Sequence, residues 1–502
     1  MSGRITKASA FAALPRPWPE DLRPRIRAAV SAQPQHKVVV IDDDPTGTQT
    51  VYNVPVLTGW EVENLREEFS RAGPCFYILT NSRSLPPEEA HCLALEVGTN
   101  LGTAADGRSF TVVSRSDSTL RGHFPTETDA LDEVLGPFDA TLLIPYFEDG
   151  GRYTIDDIHY IAEGDDLIPT ADTPFARDAA FGYRSSHLPT YVEEKSAGRI
   201  KAGEVQSIGL TELRHGGPDA VTARLLKLSR GSVAVINSAG ATDLDVFVTG
   251  LLAAEAQGRR FCFRTAAQFP AARLGLEPRP LQTAWTLGLA TMGDREIELP
   301  ANPDATASGS EAPIRNRKNT GSFSSENQPG GLTMVGSYVP ATTRQLARLG
   351  DVEGLLQIEL RVDQVLSARR HQTLADVSRI VATALSAGQD VVVFTSRGQV
   401  NADSPAASLQ IGQRISEALV ELLRSLEVRP KYVIAKGGIT SSDLATHGLG
   451  VKRAMVLGQV IPGVPVWRLG PESRFPGLIY VVFPGNVGGA KALADVIEGF
   501  GS

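Results

Sequence analysis

Short apolar runs recur along the chain and alternate with segments of helical length. In the first half they fall at residues 38–41, 76–80, 110–113, 141–144 and 233–236, with polar-apolar stretches such as 62–72 and 87–101 between them. The second half repeats the style at 332–335, 355–360, 391–395, 432–435, 454–457 and 479–483, with helical periods at 374–385 and 409–423. Runs of this length suit buried strands. Their alternation with helices predicts βα units and largely parallel sheets. The expected fold class is α/β: two α/β domains with largely parallel sheets.

The pattern breaks at residues 296–330, which are rich in Pro, Ser, Asn and Gly and nearly devoid of apolar periodicity. Such composition buries too little surface to offset ordering entropy, so the stretch reads as a linker or insertion. The expected organisation is an N-terminal extension (1–36) that looks peripheral, a first domain (37–295), the linker, and a second domain (331–502). A length of 502 residues fits two to three domains.

Charge and cysteine content narrow the field. A net charge of −8 gives no support for a nucleic-acid surface. The three cysteines, Cys75, Cys92 and Cys262, form no CxxC pair, which argues against a zinc site or disulfide framework and fits a reducing cytoplasm. No apolar run reaches the 18 residues of a membrane span, and no secretory h-region is visible.

Chemistry concentrates where apolar runs end. DDDPTG (42–47) follows the run 38–41, NSRS (81–84) follows 76–80, and SRSDSTLRGHFPTE (114–127) follows 110–113. In open α/β sheets the ligand crevice lies at the strands' C-terminal ends. Asp43, Asp44, Arg83, Asp117 and Arg121 are therefore expected at one edge. Adjacent carboxylates are costly to bury unless cations or hydroxyls meet them, and the guanidinium of Arg121 suits a carboxylate or phosphate. The mixture fits a small polyhydroxylated acid. The plainer readings are a solvated acidic loop and an Asp-Ser helix cap with a surface arginine.

Three glycine-bearing turns mark the second half: VGSYVPATT (335–343), KGGITSSD (436–443) and FPGNVGGAK (483–491). Glycines let backbone amides approach a ligand, and helix starts attract anions, so a phosphate-bearing ligand is expected. An ordinary Ser/Asp cap is the structural alternative for the second turn. Neither a Walker sequence nor a GxGxxG fingerprint is present, which argues against a dehydrogenase. TSRG (395–398) could line the same crevice. The eight histidines show no metal-ligand spacing; His123 reads as a locally satisfied side chain.

Together these motifs resemble the four-carbon acid sugar kinase family from about Lys37 onward. DDPTG (43–47), SR (82–83), DSTLRG (117–122) with Glu127, GR (151–152), FARD (175–178), GS (336–337), GGITS (437–441) and GNVG (485–488) carry the likeness. Ser114 stands where many members have lysine. The resemblance implies a sugar-acid domain followed by a nucleotide domain, with ATP and Mg²⁺ used to phosphorylate a terminal hydroxyl of 3-oxo-tetronate, threonate or a related acid such as 3-oxo-isoapionate. Asp43, Asp44 and Asp117 are the catalytic candidates. Ser82, Arg83, Ser118, Thr119 and Arg121 are expected to bind the acid. Ser337, Gly437, Gly438, Ile439, Thr440, Ser441, Gly485 and Asn486 are expected to bind nucleotide, and metal ligands are unassigned. A non-catalytic sugar-acid sensor is the alternative. Expected partners are the acid and ATP, with a homodimer allowed, and neither nucleic acid nor membrane.

Overall fold

The Val-rich run at 38–40 forms the centre of the strand Lys37–Asp42, buried along its whole length. Cys75–Leu79, Tyr432–Lys436 and Ile479–Phe483 are equally buried, as strands of a parallel sheet covered on both faces are. Flanking helices follow the 3.6-residue period: Pro87–Ala105 buries Ala90, Ala94, Val97 and Leu101. The structure is a computed structural model describing residues 4–290, 328–398 and 405–501. Most of the 296–330 stretch therefore lies outside the described residues.

Among the described residues a single 15-stranded sheet runs through the molecule. Its first eight strands are parallel, in the order Gln206–Ile208, Ser232–Ile236, Ala140–Ile144, Phe261–Thr265, Phe110–Arg115, Lys37–Asp42, Cys75–Leu79 and Val54–Leu57. Val54–Leu57 pairs antiparallel with Arg453–Ile461, which leads through Val464–Leu469 to Ile479–Phe483. Tyr432–Lys436, Leu332–Val335, Val391–Thr395 and Leu356–Leu360 complete a second parallel set. The two α/β halves are thus joined by strand pairing as well as by the chain.

The expected strands are present, but several others escaped the sequence pattern. Val54–Leu57 contains Pro55, which demotes a run as a strand candidate. Phe261–Thr265 reads FCFRT, with Arg264 interrupting its apolar character. A separate antiparallel sheet of Ile5–Thr6, Asp166–Pro169, Ile158–Glu163 and Arg152–Ile155 packs beside the first half. The N-terminal extension is integral to that half: Leu22 and Ile26 are buried in its core, and Arg214, paired with Asp243, donates to the Pro15 carbonyl. Residues 284–289 lean the other way. Ala284, Leu287 and Leu289 pack with Val460, Val464 and Val481 of the C-terminal half, where they find an apolar surface.

Candidate active site

Three strand ends of the N-terminal half deliver the acidic and basic residues expected there. Asp42, Asp43 and Asp44 diverge as the strand Lys37–Asp42 ends. Asp42 turns inward to Arg115, Oδ1 to Nη1 2.8 Å, and burial pushes its carboxyl up to about 7 against that pull. Asp43 is 2% exposed and accepts a hydrogen bond from Ser116. Its Oδ1 is buried without a hydrogen-bond partner, 3.7 Å from both Arg83 and Arg115. Burial pushes its carboxyl up as well. Asp44 is the one that faces the cleft. It caps the 3₁₀ turn Pro45–Thr48 by accepting from the Thr46 amide at 2.8 Å, and it pairs with Arg83 at 2.6 Å. Burial opposes its charge, but Arg83, Arg115 and the Thr46 hydrogen bonds outweigh burial and hold its carboxyl below the usual range.

Arg83 is the hub, reaching Asp44 at 2.6 Å, Asp43 at 3.7 Å and Asp117 at 3.8 Å. Asp117 also binds Arg121 at 2.7 Å and accepts from Thr119. Burial disfavours its carboxylate, yet Arg121 and Arg83 hold it far below the usual range. The turn that brings Arg121 back onto Asp117 places Leu120 at φ 68°, a strained conformation for a leucine. Tyr183 and Tyr191 secure it by donating to the Thr119 and Leu120 carbonyls, each at 2.8 Å. Arg121 continues to Asp178 at 3.4 Å and covers the Phe175 ring at 5.0 Å.

Of the remaining sequence candidates on this side, Ser118 lines the cleft. Ser82 and Thr119 are buried behind its wall, Ser82 donating to Glu127 at 2.5 Å. His123 is a satisfied core side chain against the Ser82 carbonyl at 3.1 Å. Asp42, Arg115 and Arg264 escaped the sequence reading because their partners are distant in the chain. Arg264 binds Glu127 and Ser116, each at 2.6 Å, and reaches Ser114 at 3.0 Å.

The three glycine turns of the C-terminal half converge opposite this cluster. Gly437 adopts φ 120°, closed to most side chains, and the short helix Gly438–Asp443 follows directly. Thr440 and Ser441 therefore lie within its first turns, not before it. A Cβ on Gly437 would sit 3.2 Å from the Ser337 Cβ, and one on Gly485 would sit 2.6 Å from the Ser337 Oγ. Thr342 bridges Ser337 at 3.1 Å and the Gly485 carbonyl at 2.9 Å. Gln345 braces the carbonyls of Val487 and Gly489 at 2.9 and 3.0 Å. Ser337, Gly437, Gly438, Ile439, Thr440, Gly485 and Asn486 all line the cleft. Ser441 does not: it is fully buried and donates to the Ala435 carbonyl at 2.7 Å. Arg397 of TSRG supports the turn by donating to the Ser337 carbonyl at 2.5 Å.

The two sides come close at Gly438. A Cβ on Gly438 would lie 2.7 Å from the Asp44 Oδ2, so a larger residue here would displace the Asp44 carboxylate. The shared cleft has a volume of about 1940 Å³. A pocket for one small molecule is typically about 300–1,000 Å³, so there is room for two ligands. No cluster of three His, Cys, Asp or Glu side chains suited to a metal occurs among the described residues, and no described helix is long and apolar enough to cross a membrane.

Fold and site together define a two-part α/β protein that sets a carboxylate–guanidinium cluster against glycine turns in a shared cleft. The chain belongs to the four-carbon acid sugar kinase family: a sugar-binding N-terminal domain matches residues 38–273 and a nucleotide-binding C-terminal domain matches residues 332–493. A D-erythronate kinase of Heliobacterium modesticaldum is 31% identical over 147 residues, 28% of this chain and 32% of that protein. The match thus spans about a third of that relative's length. Among solved structures, Haemophilus influenzae protein HI1011 of the DUF1537 family superposes with a TM-score of 0.57 at 17% identity, covering 92% of this chain and 99% of that one. A Salmonella typhimurium LT2 protein solved under a tRNA synthase label gives 0.60 at 16% identity, covering 91% and 97%. At these identities both likenesses concern the fold.

Proposed function

We propose that the protein is an ATP-dependent kinase that phosphorylates a hydroxyl of a four-carbon sugar acid, D-erythronate or a close relative such as threonate or 3-oxo-tetronate. The observation that carries this reading is the approach of Asp44 to Gly438, 2.7 Å from its Cβ position. A carboxylate of the sugar side stands at the phosphate-holding turn of the nucleotide side.

Phosphoryl transfer asks a protein mainly for positioning and charge neutralisation. Ser337 and the turns at 437–440 and 485–488 hold the triphosphate. Asp44 orients the acceptor hydroxyl and receives its proton as the oxygen bonds to the γ-phosphorus and the bond to ADP breaks. That its carboxyl is held below the usual range is no obstacle, because a loose transition state needs aim and only late proton removal. Asp43 stays beneath the surface and fixes Arg83. Arg83, Asp117 and Ser118 meet the hydroxyls of the acid. Mg²⁺ commonly binds phosphates with one or two carboxylates and retained waters. Asp44 is the carboxylate at hand, and the ion would neutralise phosphate charge. This metabolic role and the unpaired cysteines fit a cytoplasmic protein.

The test is ADP release by the purified protein with ATP and Mg²⁺ across a panel of erythronate, threonate, 3-oxo-tetronate and five-carbon acids. Acid-dependent release with at least one four-carbon acid is expected. Binding of ATP without acid-dependent release from any of them would point to a sensor.

A further inference from the structure

Arg152 opens the strand Arg152–Ile155 of the small antiparallel sheet, and it lines the cleft beside Arg121, Phe175 and Asp178. The other guanidiniums of this wall are already matched. Arg83 has Asp44 at 2.6 Å, Arg115 has Asp42 at 2.8 Å, and Arg121 has Asp117 at 2.7 Å. Arg152 has no ion-pair partner among the described residues, and its buried Nε has no hydrogen-bond partner. Its guanidinium lies 5.9 Å from the centre of the Phe175 ring that Arg121 also covers. Burial and, after it, the Arg121 charge disfavour its cation, while Asp117, Tyr183 and Glu163 favour it. A desolvated guanidinium without a counter-ion is costly unless an anion joins it.

Position adds direction. From the nucleotide turn the charges alternate along the wall, Asp44 to Arg83 to Asp117 to Arg121, at 2.6, 3.8 and 2.7 Å. Arg152 shares the Phe175 ring with Arg121, at 5.9 and 5.0 Å from its centre, and is the cation of this wall without an ion-pair partner among the described residues. A sugar acid laid along this ladder places its hydroxyls against matched pairs and its carboxylate at the unmatched cation.

We propose that Arg152 anchors the substrate's carboxylate in the recess bounded by Arg121, Phe175 and Asp178, and so selects acids over neutral polyols. This inference rests on the kinase reading above.

The test compares wild type with Arg152→Gln and Arg152→Lys, using erythronate and its uncharged amide as probes, both in steady-state turnover and in calorimetric titration. Arg152→Gln is expected to raise the KM for erythronate about tenfold to a hundredfold, as loss of a charge-assisted contact does. The KM for ATP and the melting temperature should hold, and the preference for acid over amide should collapse. Arg152→Lys should recover part of that preference. Unchanged acid affinity or preference in Arg152→Gln overturns the anchor. So does an equal loss of ATP affinity, which would mark a structural arginine. Calorimetry separates the two readings. A wild type that binds erythronate more tightly than Arg152→Gln but releases no ADP keeps the anchor and refutes the kinase. A wild type that binds no acid refutes both.

Discussion

Asp42, Asp43 and Asp44 are adjacent in sequence yet occupy three environments. Asp42 is locked to Arg115, Asp43 is buried against Ser116 with one oxygen unpartnered, and Asp44 faces the cleft on Arg83. Only the last is placed to touch a bound hydroxyl. Replacing Asp44 by Asn keeps its shape and removes its charge. We expect kcat to fall about a hundredfold or more, within the range of a lost general base or orienting carboxylate, with ATP affinity intact by calorimetry. A variant turning over at near the wild-type rate would move the role to Asp117 or to no side chain. These candidates were legible because each stands directly after an apolar run. Arg115 and Arg264 were not, since an arginine's partner across the sheet leaves no local mark in the sequence.

At the scale of elements, the nucleotide side depends on how its turns are tied. Lys436 ends the strand Tyr432–Lys436 fully buried, donates to the Pro484 carbonyl at 2.9 Å and lies 3.9 Å from the Phe483 ring centre. It clasps the turn at 437 to the turn at 485. Burial pushes its ammonium down to about 7. Above that pH the folded chain holds Lys436 neutral, while the unfolded chain binds the proton up to about 10.4. Unfolding then takes up a proton, so this group's contribution to stability rises with pH from 7 to about 10, by about 1.4 kcal/mol per unit. Below 7 both states hold the proton, and burying the ammonium costs its full penalty independent of pH. Urea denaturation of wild type and Lys436→Met from pH 6 to 9 should show a stability difference that shifts in favour of wild type as pH rises above 7. A constant difference would mean that Lys436 keeps its proton throughout.

Across the whole molecule, the two halves share a sheet through the pairing of Val54–Leu57 with Arg453–Ile461. Near this seam the Trp467 indole N–H donates to the Thr48 Oγ1 at 3.0 Å, tying the C-terminal half to the turn that carries Asp44. Both residues are buried. Trp467→Phe strands the Thr48 hydroxyl, which should cost about 1–3 kcal/mol, read from the urea midpoint. The KM for the acid should rise too, although the substitution lies in the nucleotide half. An acid KM indistinguishable from wild type would show that the Asp44 turn holds its place without this bond.

The sequence by itself determined the α/β class, most strands, and the residue types gathered at the strand ends. Strand-length apolar runs and turn residues are local signals, readable without a partner. It also marked the glycines at 437–438, because a motif of this kind records backbone constraints. Only the tertiary structure decided which of the neighbouring carboxylates faces the cleft and that Ser82, Thr119 and Ser441 turn inward. It alone showed that the N-terminal helices belong to the first core and that one sheet crosses both halves. It also showed Arg152 on the cleft wall of the first half without an ion-pair partner among the described residues. Each of these is a matter of which distant group lies within a few ångströms, and pairing across a sheet or a cleft leaves no periodicity in the chain to read.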